Sequence, residues 1–281
     1  MRRSFNQFQY FLLIFSMKRF SLSVFASTLA LASLLLTSCK KDEQVAANTG
    51  EFTLHMTNMV GTAPLALDVT TYQAPNGDSY TVNAFRYYIS NVVLRKGDNS
   101  TYAVPNTYFL VDQAEPNTHD LVMKDVPVGD YTGITFTIGV DSTRSKAGNF
   151  TGVLSSSEGL LWTMNGGPEF INMEFKGTSP QSYTGGLLFH IAGYMHSTTN
   201  TIRTITRTFP AAGSPMLVRA GRSPKIHMTA DVNKMFDGQY PIRFSSTYSV
   251  MGGIPQRGAS ASQLADNIAA GMFNVAEVQA N

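Results

Sequence analysis

One tryptophan, one methionine and one histidine near the middle of the chain carry side chains that could bind a soft metal ion. Trp162, the only tryptophan, and Met164 share one face of a β-hairpin predicted over Gly159–Phe175, because residues two apart in a strand point the same way. His190 lies in the next predicted strand, Gly186–Ile191, within a run too apolar for a surface. An indole, a thioether and an imidazole together suggest a soft-metal site. The alternative is a core in which Trp162 packs on Met164 and His190 bonds to backbone.

Two further histidines each precede a methionine in an alternating strand. His55 is followed by Met56 in the predicted strand Glu51–Asn58, and His227 is followed by Met228 further along the chain. Neighbouring residues of a strand point to opposite faces, so neither pair can chelate a metal by itself. His55 falls on the polar side of its strand and is therefore expected to face solvent or a site.

Nothing in the sequence pairs an acid with a base for catalysis, so we expect no enzymatic activity. His119 and Asp120 are adjacent and cannot orient one another as a catalytic triad does, and no G-x-S-x-G motif accompanies them. The remaining candidate carboxylates are scattered along the chain, at Asp112, Glu115, Asp141, Glu158 and Glu174. A hydrolase is accordingly the least supported class of function.

The N-terminus has the layout of a secretory signal. A basic start at Met17 precedes an apolar run over Phe20–Leu36, and Met1 would give an unusually long basic region. The run ends in Leu36-Thr37-Ser38-Cys39, which resembles the bacterial lipobox, where the cysteine receives the lipid. An uncleaved membrane anchor is the alternative, although Ser and Thr interrupt the run. We predict a signal peptide over residues 1–38, a lipid-anchored tether over 39–50 and one domain over 51–281.

The residues after Cys39 and the composition of the chain indicate where the protein is located and which classes of partner it can bind. Lys-Asp-Glu follows Cys39 closely and resembles the signal that exports Bacteroidetes-type lipoproteins to the cell surface. The sequence thus predicts an outer-membrane lipoprotein of the cell envelope, facing the periplasm or the surface and held to the membrane by lipid on Cys39. With its sole cysteine lipidated, the chain has no thiolate left for a metal. A net charge of +2 and the absence of a basic stripe argue against nucleic acid as a partner.

Closely spaced strand signals without alternating helices predict an all-β fold, an antiparallel immunoglobulin-like sandwich of two sheets. Ser79–Leu94 is apolar on both faces and reads as a central strand, and Leu65–Val69 reads as a short second strand. Ser260–Gln263 fits a capping box, followed by a C-terminal amphipathic helix.

A series of separated motifs resembles the MbnP-like domain family in order and spacing, from about Gly50 to Val275. The motifs are Arg86–Leu94, Leu110–Asp112, Pro127–Tyr131, Ile138–Asp141, Gly152 with Leu154, Leu161-Trp162, Phe189–Ile191, Ala265–Asn267 and Met272-Phe273. The resemblance implies a periplasmic or surface copper-binding β-sandwich. In such proteins copper(I) is held by histidines and by a tryptophan that a partner diheme peroxidase-like enzyme has oxidised to kynurenine.

Carried over to this chain, the resemblance makes Trp162 the candidate for oxidation and His190 a ligand, with His55 and Met164 as further candidates. Relatives often have Trp or His at the position of Met164, and some have His within the stretch corresponding to Ser249–Gly253. The expected function is a copper-binding lipoprotein that sequesters or delivers copper(I). The alternative is a surface module that binds glycan, peptide or a neighbouring protein, in which Tyr87, Tyr88, Tyr183 and Tyr194 would line a platform.

Overall fold

The computed structural model describes residues 48–163, 167–195, 199–252 and 258–279. The predicted signal peptide, Cys39, most of the predicted tether and Met164 lie outside these residues. Strand β1 begins at Thr49, two residues inside the predicted tether. Within the described ranges, no helix has the length and apolarity needed to cross a membrane.

The described chain is built mostly from strands. They are β1 (Thr49–Val60), β2 (Ala63–Pro64), β3 (Tyr72–Gln73), β4 (Ser79–Lys96), β5 (Thr101–Ala103), β6 (Tyr108–Asp112), β7 (Asp120–Pro127), β8 (Gly129–Ile138), β9 (Leu161–Trp162), β10 (Glu169–Thr178), β11 (Gly186–Ala192), β12 (Arg203–Thr208), β13 (Met216–Val218), β14 (Lys225–Asp231), β15 (Ser249–Met251) and β16 (Phe273–Gln279). The α-helices are α1 (Ser142–Ala147), α2 (Asn233–Phe236) and α3 (Ala261–Gly271), and short 3-10 turns cover Pro116–Thr118, Gly152–Leu154 and Ser156–Glu158.

The strands form two sheets, as expected for an all-β sandwich. The five-stranded sheet has the order β16-β14-β1-β2, with β7 also paired to β1. The eleven-stranded sheet has the central order β12-β8-β4-β10-β11-β15, and shorter strands pair with β4, β8 and β10. The strand pairing differs from the predicted antiparallel arrangement in two places. Strand β1 pairs with β14 in parallel, and β11 pairs with β15 in parallel. Long connections separate both pairs in sequence, so they are free to run parallel.

Both sheets bury side chains in one shared core. Leu54 and Met56 of β1 are fully buried there, as are Phe175 of β10 and Phe189 of β11. The face of each sheet that points away from this core is called its outer face below. The alternation of β1 therefore puts His55 on the outer face of the five-stranded sheet, as its polar pattern predicted.

A second, smaller apolar cluster covers part of the outer face of the eleven-stranded sheet. Tyr88, Leu160 and Phe170 are buried in it, and Trp162 packs against it. Strand β4 is consequently apolar on both faces, which confirms the predicted central strand: Tyr87 contributes to the shared core and Tyr88 to the second cluster.

Two predictions about local structure had different outcomes. The capping box is present, since Ser260 accepts from the Gln263 amide and the Gln263 side chain accepts from the Ser260 amide at the start of α3. The strand predicted at Leu65–Val69 is wrong: in this part of the chain the strand is Ala63–Pro64, which pairs with β1, and Val69 is 83% exposed. An exposed valine in a chain reversal has no sheet surface to pack on, whatever its β propensity.

Candidate functional site

A row of polar and sulfur-containing side chains crosses the outer face of the eleven-stranded sheet. Arg86 on β4 is in register with Glu174 on β10, Glu174 is in register with His190 on β11, and His190 is in register with Met251 on β15. Side chains opposite one another on neighbouring strands share a face and lie within contact range. The flanking residues Phe189 and Val250 point into the shared core, which fixes the row on the outer side.

Glu174 is the buried anion at the centre of this row. Its side chain is only 2% exposed and lies 2.6 Å from Arg86 Nη2 and 2.8 Å from Lys176 Nζ. Burial alone raises the pKa of Glu174, but its contacts with His190, Lys176 and Arg86 outweigh burial and lower the pKa to about 2. The carboxylate is therefore ionised at neutral pH and has cations on two sides.

The imidazole ring of His190 lies next to this carboxylate, and its nitrogen atoms make no hydrogen bonds to the described residues. Its Nε2 atom lies 2.9 Å from Glu174 Oε2, an ion-pair distance, but the ring is not aligned for a hydrogen bond along that line. Its Nδ1 atom is buried and has no hydrogen-bond partner among the described residues. An unpaired buried ring nitrogen costs about 1–3 kcal/mol, so a ligand that accepts its lone pair would relieve that cost. Backbone bonding of the His190 ring, the alternative considered above, is not observed.

Trp162 lies beside His190, as the sequence pattern suggested. The predicted hairpin forms, because Leu161 and Trp162 of β9 pair with Phe170 and Glu169 of β10. The ring centroids of Trp162 and His190 are 5.4 Å apart with an interplanar angle of 66°, an edge-on contact. Trp162 is half-buried against the second apolar cluster, so one side of the indole is held while another remains accessible.

Arg86 ties the strand that carries Trp162 to the centre of the row. It donates to Glu174 through Nε and Nη2, and Nη1 donates to the main-chain carbonyl of Glu158, 3.0 Å away. Glu158 precedes β9 by three residues in the chain. One guanidinium thus fixes both the buried carboxylate and the segment leading into Trp162.

Two methionines that the sequence analysis did not assign lie around the same end of the sheet. Met251 shares the outer face with His190, and the Gly252 amide donates to the His190 carbonyl at 3.0 Å. Met195, just beyond β11, lies close to Gly167 in the hairpin connection. The parallel pairing of β11 with β15, which no local pattern reveals, is what brings Met251 to this place.

His55 belongs to the opposite side of the molecule. It is on the outer face of the five-stranded sheet, where its Nδ1 lies 2.7 Å from Asp120 Oδ1 and its ring is 5.3 Å from that of His227. His190 is on the outer face of the other sheet, with the shared core between them. The fold therefore does not bring His55 to Trp162 and His190.

The tyrosine platform considered for a surface module is not formed. Tyr87 is 0% and Tyr88 is 1% exposed, and the two side chains lie on opposite faces of β4. Tyr183 is 85% exposed and Tyr194 hydrogen-bonds to the Pro168 carbonyl. These four rings occupy separate environments and cannot present one stacking surface.

The described residues hold no group of three or more His, Cys, Asp or Glu side chains arranged to bind a metal ion. Two side chains of other types lie next to His190, the indole of Trp162 and the thioether of Met251.

The family model MbnP matches residues 49–252, most of the described domain. The chain belongs to the MbnP family. A solved structure, MbnP from Methylosinus trichosporium, is similar to it with a TM-score of 0.47 and 12% identity, covering 83% of this chain and 99% of the other. No curated protein matches the sequence. The family match confirms the resemblance noted in the sequence, and it includes every residue of the row across the eleven-stranded sheet.

Proposed function

We propose that this MbnP family protein binds copper(I) at the row formed by His190, Trp162 and Met251, and that it sequesters or delivers the ion without acting on a substrate. The observation that carries the proposal is the unpaired, buried Nδ1 of His190 next to the indole of Trp162. A buried nitrogen lone pair is a ready ligand, and imidazole suits copper well.

The donor set fits a soft monovalent ion. Met251 offers a thioether on the same face as His190, and thioethers select copper(I) over hard cations. Arg86 and Lys176 both contact Glu174, so the local charge is not negative overall. A divalent cation would be repelled more strongly than a monovalent one by that pair of cations.

Glu174 acts on the proposed site through His190. The negative charge of the Glu174 carboxylate, 2.9 Å from Nε2, favours by electrostatic attraction the tautomer in which Nε2 carries the proton and Nδ1 keeps its lone pair, although the ring is not aligned for a hydrogen bond. Metal-binding histidines are commonly oriented by a carboxylate in this way. Glu174 is a positioning residue in this account, and Arg86 in turn holds Glu174.

Trp162 becomes a ligand only after oxidation. Two equivalents of peroxide deliver two oxygen atoms across the C2–C3 bond of the indole, which breaks to give N-formylkynurenine, and the peroxide leaves as two molecules of water. Hydrolysis then releases formate and leaves kynurenine, whose amine and carbonyl can both bind copper. A partner diheme peroxidase-like enzyme would carry out the oxidation, and the accessible side of the half-buried Trp162 is where it would act.

The proposal places the protein in the cell envelope as an outer-membrane lipoprotein, with Cys39 lipidated and the domain facing the periplasm or the surface. Copper handling outside the cytoplasm is consistent with a domain that offers no thiolate for the metal.

Competition for copper(I) with a chromophoric chelator tests the site. The protein should be purified with Trp162 oxidised, and His190→Ala compared with His119→Ala. His119 is a suitable control because its Nε2 already contacts the Asp112 carbonyl, 3.0 Å away. We expect His190→Ala to abolish competition and His119→Ala to leave it intact. Equal competition by both variants would refute the assignment and favour the surface interaction module.

A further inference from the structure

A second histidine cluster lies on the outer face of the five-stranded sheet. Four strands put one polar residue each into a single row: Asp120 on β7, His55 on β1, His227 on β14 and Glu277 on β16 are successive register partners. The alternating methionines Met56 and Met228 point inward and are fully buried. The row therefore holds two imidazoles side by side with a carboxylate at each end.

Asp120 fixes the orientation of the first imidazole. Its Oδ1 lies 2.7 Å from His55 Nδ1, and Lys225 Nζ lies 3.3 Å from the same oxygen. The Asp120 carboxylate oxygen accepts this hydrogen bond, so Nδ1 of His55 is the donor. The lone pair of neutral His55 is then on Nε2, on the far side of the ring from Asp120.

His227 supplies the second unpaired nitrogen. Its Nε2 atom is buried and has no hydrogen-bond partner within the described ranges. The ring centroids of His55 and His227 are 5.3 Å apart at an interplanar angle of 59°, so the rings are neighbours but are not stacked. Buried polar atoms without a partner are rare, and the lone pair of such a ring nitrogen is free to bind a ligand.

We propose that His55 and His227 form a binding site for a borderline divalent transition metal of the zinc or copper(II) class, separate from the copper(I) row. The two Nε2 atoms would be the protein ligands, with water completing the coordination. Imidazole favours zinc and copper(II), and the thioethers that favour copper(I) point away into the core. Asp120 orients His55 as a carboxylate partner, and Glu277 adds a second negative charge beside His227.

The charge of this row differs from that of the copper(I) row. Asp120 and Glu277 carry two negative charges against the single cation of Lys225, whereas Arg86 and Lys176 outnumber Glu174 at the other row. The attraction of a divalent ion to a negative charge is twice that of a monovalent ion. The two outer faces are therefore suited to ions of different charge.

Isothermal titration with zinc chloride tests the site on the purified protein. We expect His55→Ala and His227→Ala each to weaken zinc binding by about 10-fold or more, and Asp120→Asn to weaken it by about 10-fold. His119→Ala, next to Asp120 in the chain, is the matched control and should bind zinc as the wild type does. His190→Ala should also retain zinc binding, which separates this site from the proposed copper(I) function.

A spectroscopic measurement covers the case in which a variant fails to fold. Nitrogen NMR of the imidazoles in the wild-type protein should show the Nε2 resonances of His55 and His227 shifting on addition of zinc, with those of His119 unchanged. Zinc binding that persists in both alanine variants, the absence of binding at micromolar zinc, or shifts confined to other histidines would overturn the proposal.

Discussion

Glu174 and His190 face one another across the β10–β11 pair, with Oε2 of the carboxylate 2.9 Å from Nε2 of the imidazole. The contact joins the buried carboxylate of the candidate site to a ring whose Nδ1 atom makes no hydrogen bond to any described residue.

Stability should therefore depend on pH through Glu174. Its pKa is about 2 in the folded protein against an ordinary value of 4.5, so the ionised form is favoured by folding. This contribution is fully present above about pH 4.5 and is lost as pH falls towards 2, on the order of 2–3 kcal/mol in the free energy of unfolding. Urea unfolding across that pH range should show the loss in the wild type and a much smaller one in Glu174→Gln. A slope unchanged in the variant would contradict this account.

Arg86→Ala should be strongly destabilising. The change leaves the buried Glu174 carboxylate without its closest cation and breaks the bond to the Glu158 carbonyl, at an expected cost of about 3–5 kcal/mol. Arg219→Ala is the control, because its ion pair with Asp130 is solvent-exposed and should contribute less than about 1 kcal/mol. Thermal unfolding measures both. Similar midpoints for the two variants would show that Arg86 does not hold the row together.

Met251→Ala should weaken copper(I) binding without unfolding the protein. Met251 is only half-buried at the end of the row, so its loss removes a thioether donor and leaves no large cavity. We expect a fall in copper(I) affinity of about 10-fold, measured by chelator competition, and a midpoint of thermal unfolding close to that of the wild type. Met59→Ala, a half-buried methionine of β1 in the other sheet, should keep full affinity. A loss of affinity in Met59→Ala equal to that in Met251→Ala would remove Met251 from the ligand set.

Cys39→Ser tests the predicted anchor. Without the thiol no lipid can be attached, so we expect the variant to be released from the membrane or to accumulate with its signal peptide. Fractionation of membranes followed by mass measurement of the N-terminus checks this outcome. A processed Cys39→Ser protein that stays with the outer membrane would rule out the lipid anchor.

Local patterns predicted the facing of several side chains correctly. The alternation in β1 predicted that His55 faces outwards and Met56 faces the core. The hairpin pattern predicted the pairing of the strand that carries Trp162 with β10, which is the neighbour of the strand that carries His190. The capping box at Ser260 was likewise readable, because all its atoms lie within four residues. In each case the residues that determine the local structure are close together in the sequence.

Long-range pairing could not be predicted in the same way. Glu174 appeared as one of several scattered carboxylates, and only the insertion of β10 between β4 and β11 brings Arg86 and His190 to it. The bulge in β10 between Ile171 and Met173 also shifts the alternation, so that Ile171 packs in the second cluster while Met173 enters the shared core. Strand order and bulges depend on the packing of the whole sheet, and a short stretch of sequence does not contain that information.

Intact mass together with metal content, measured on the mature protein purified from its native host, tests the central claim most directly. Conversion of Trp162 to kynurenine replaces a carbon by an oxygen in net terms and adds about 4 Da to the side chain. The account predicts that gain, localised to Trp162 by fragmentation, with about one copper ion per chain. An unmodified Trp162 in a protein that contains no copper would contradict it.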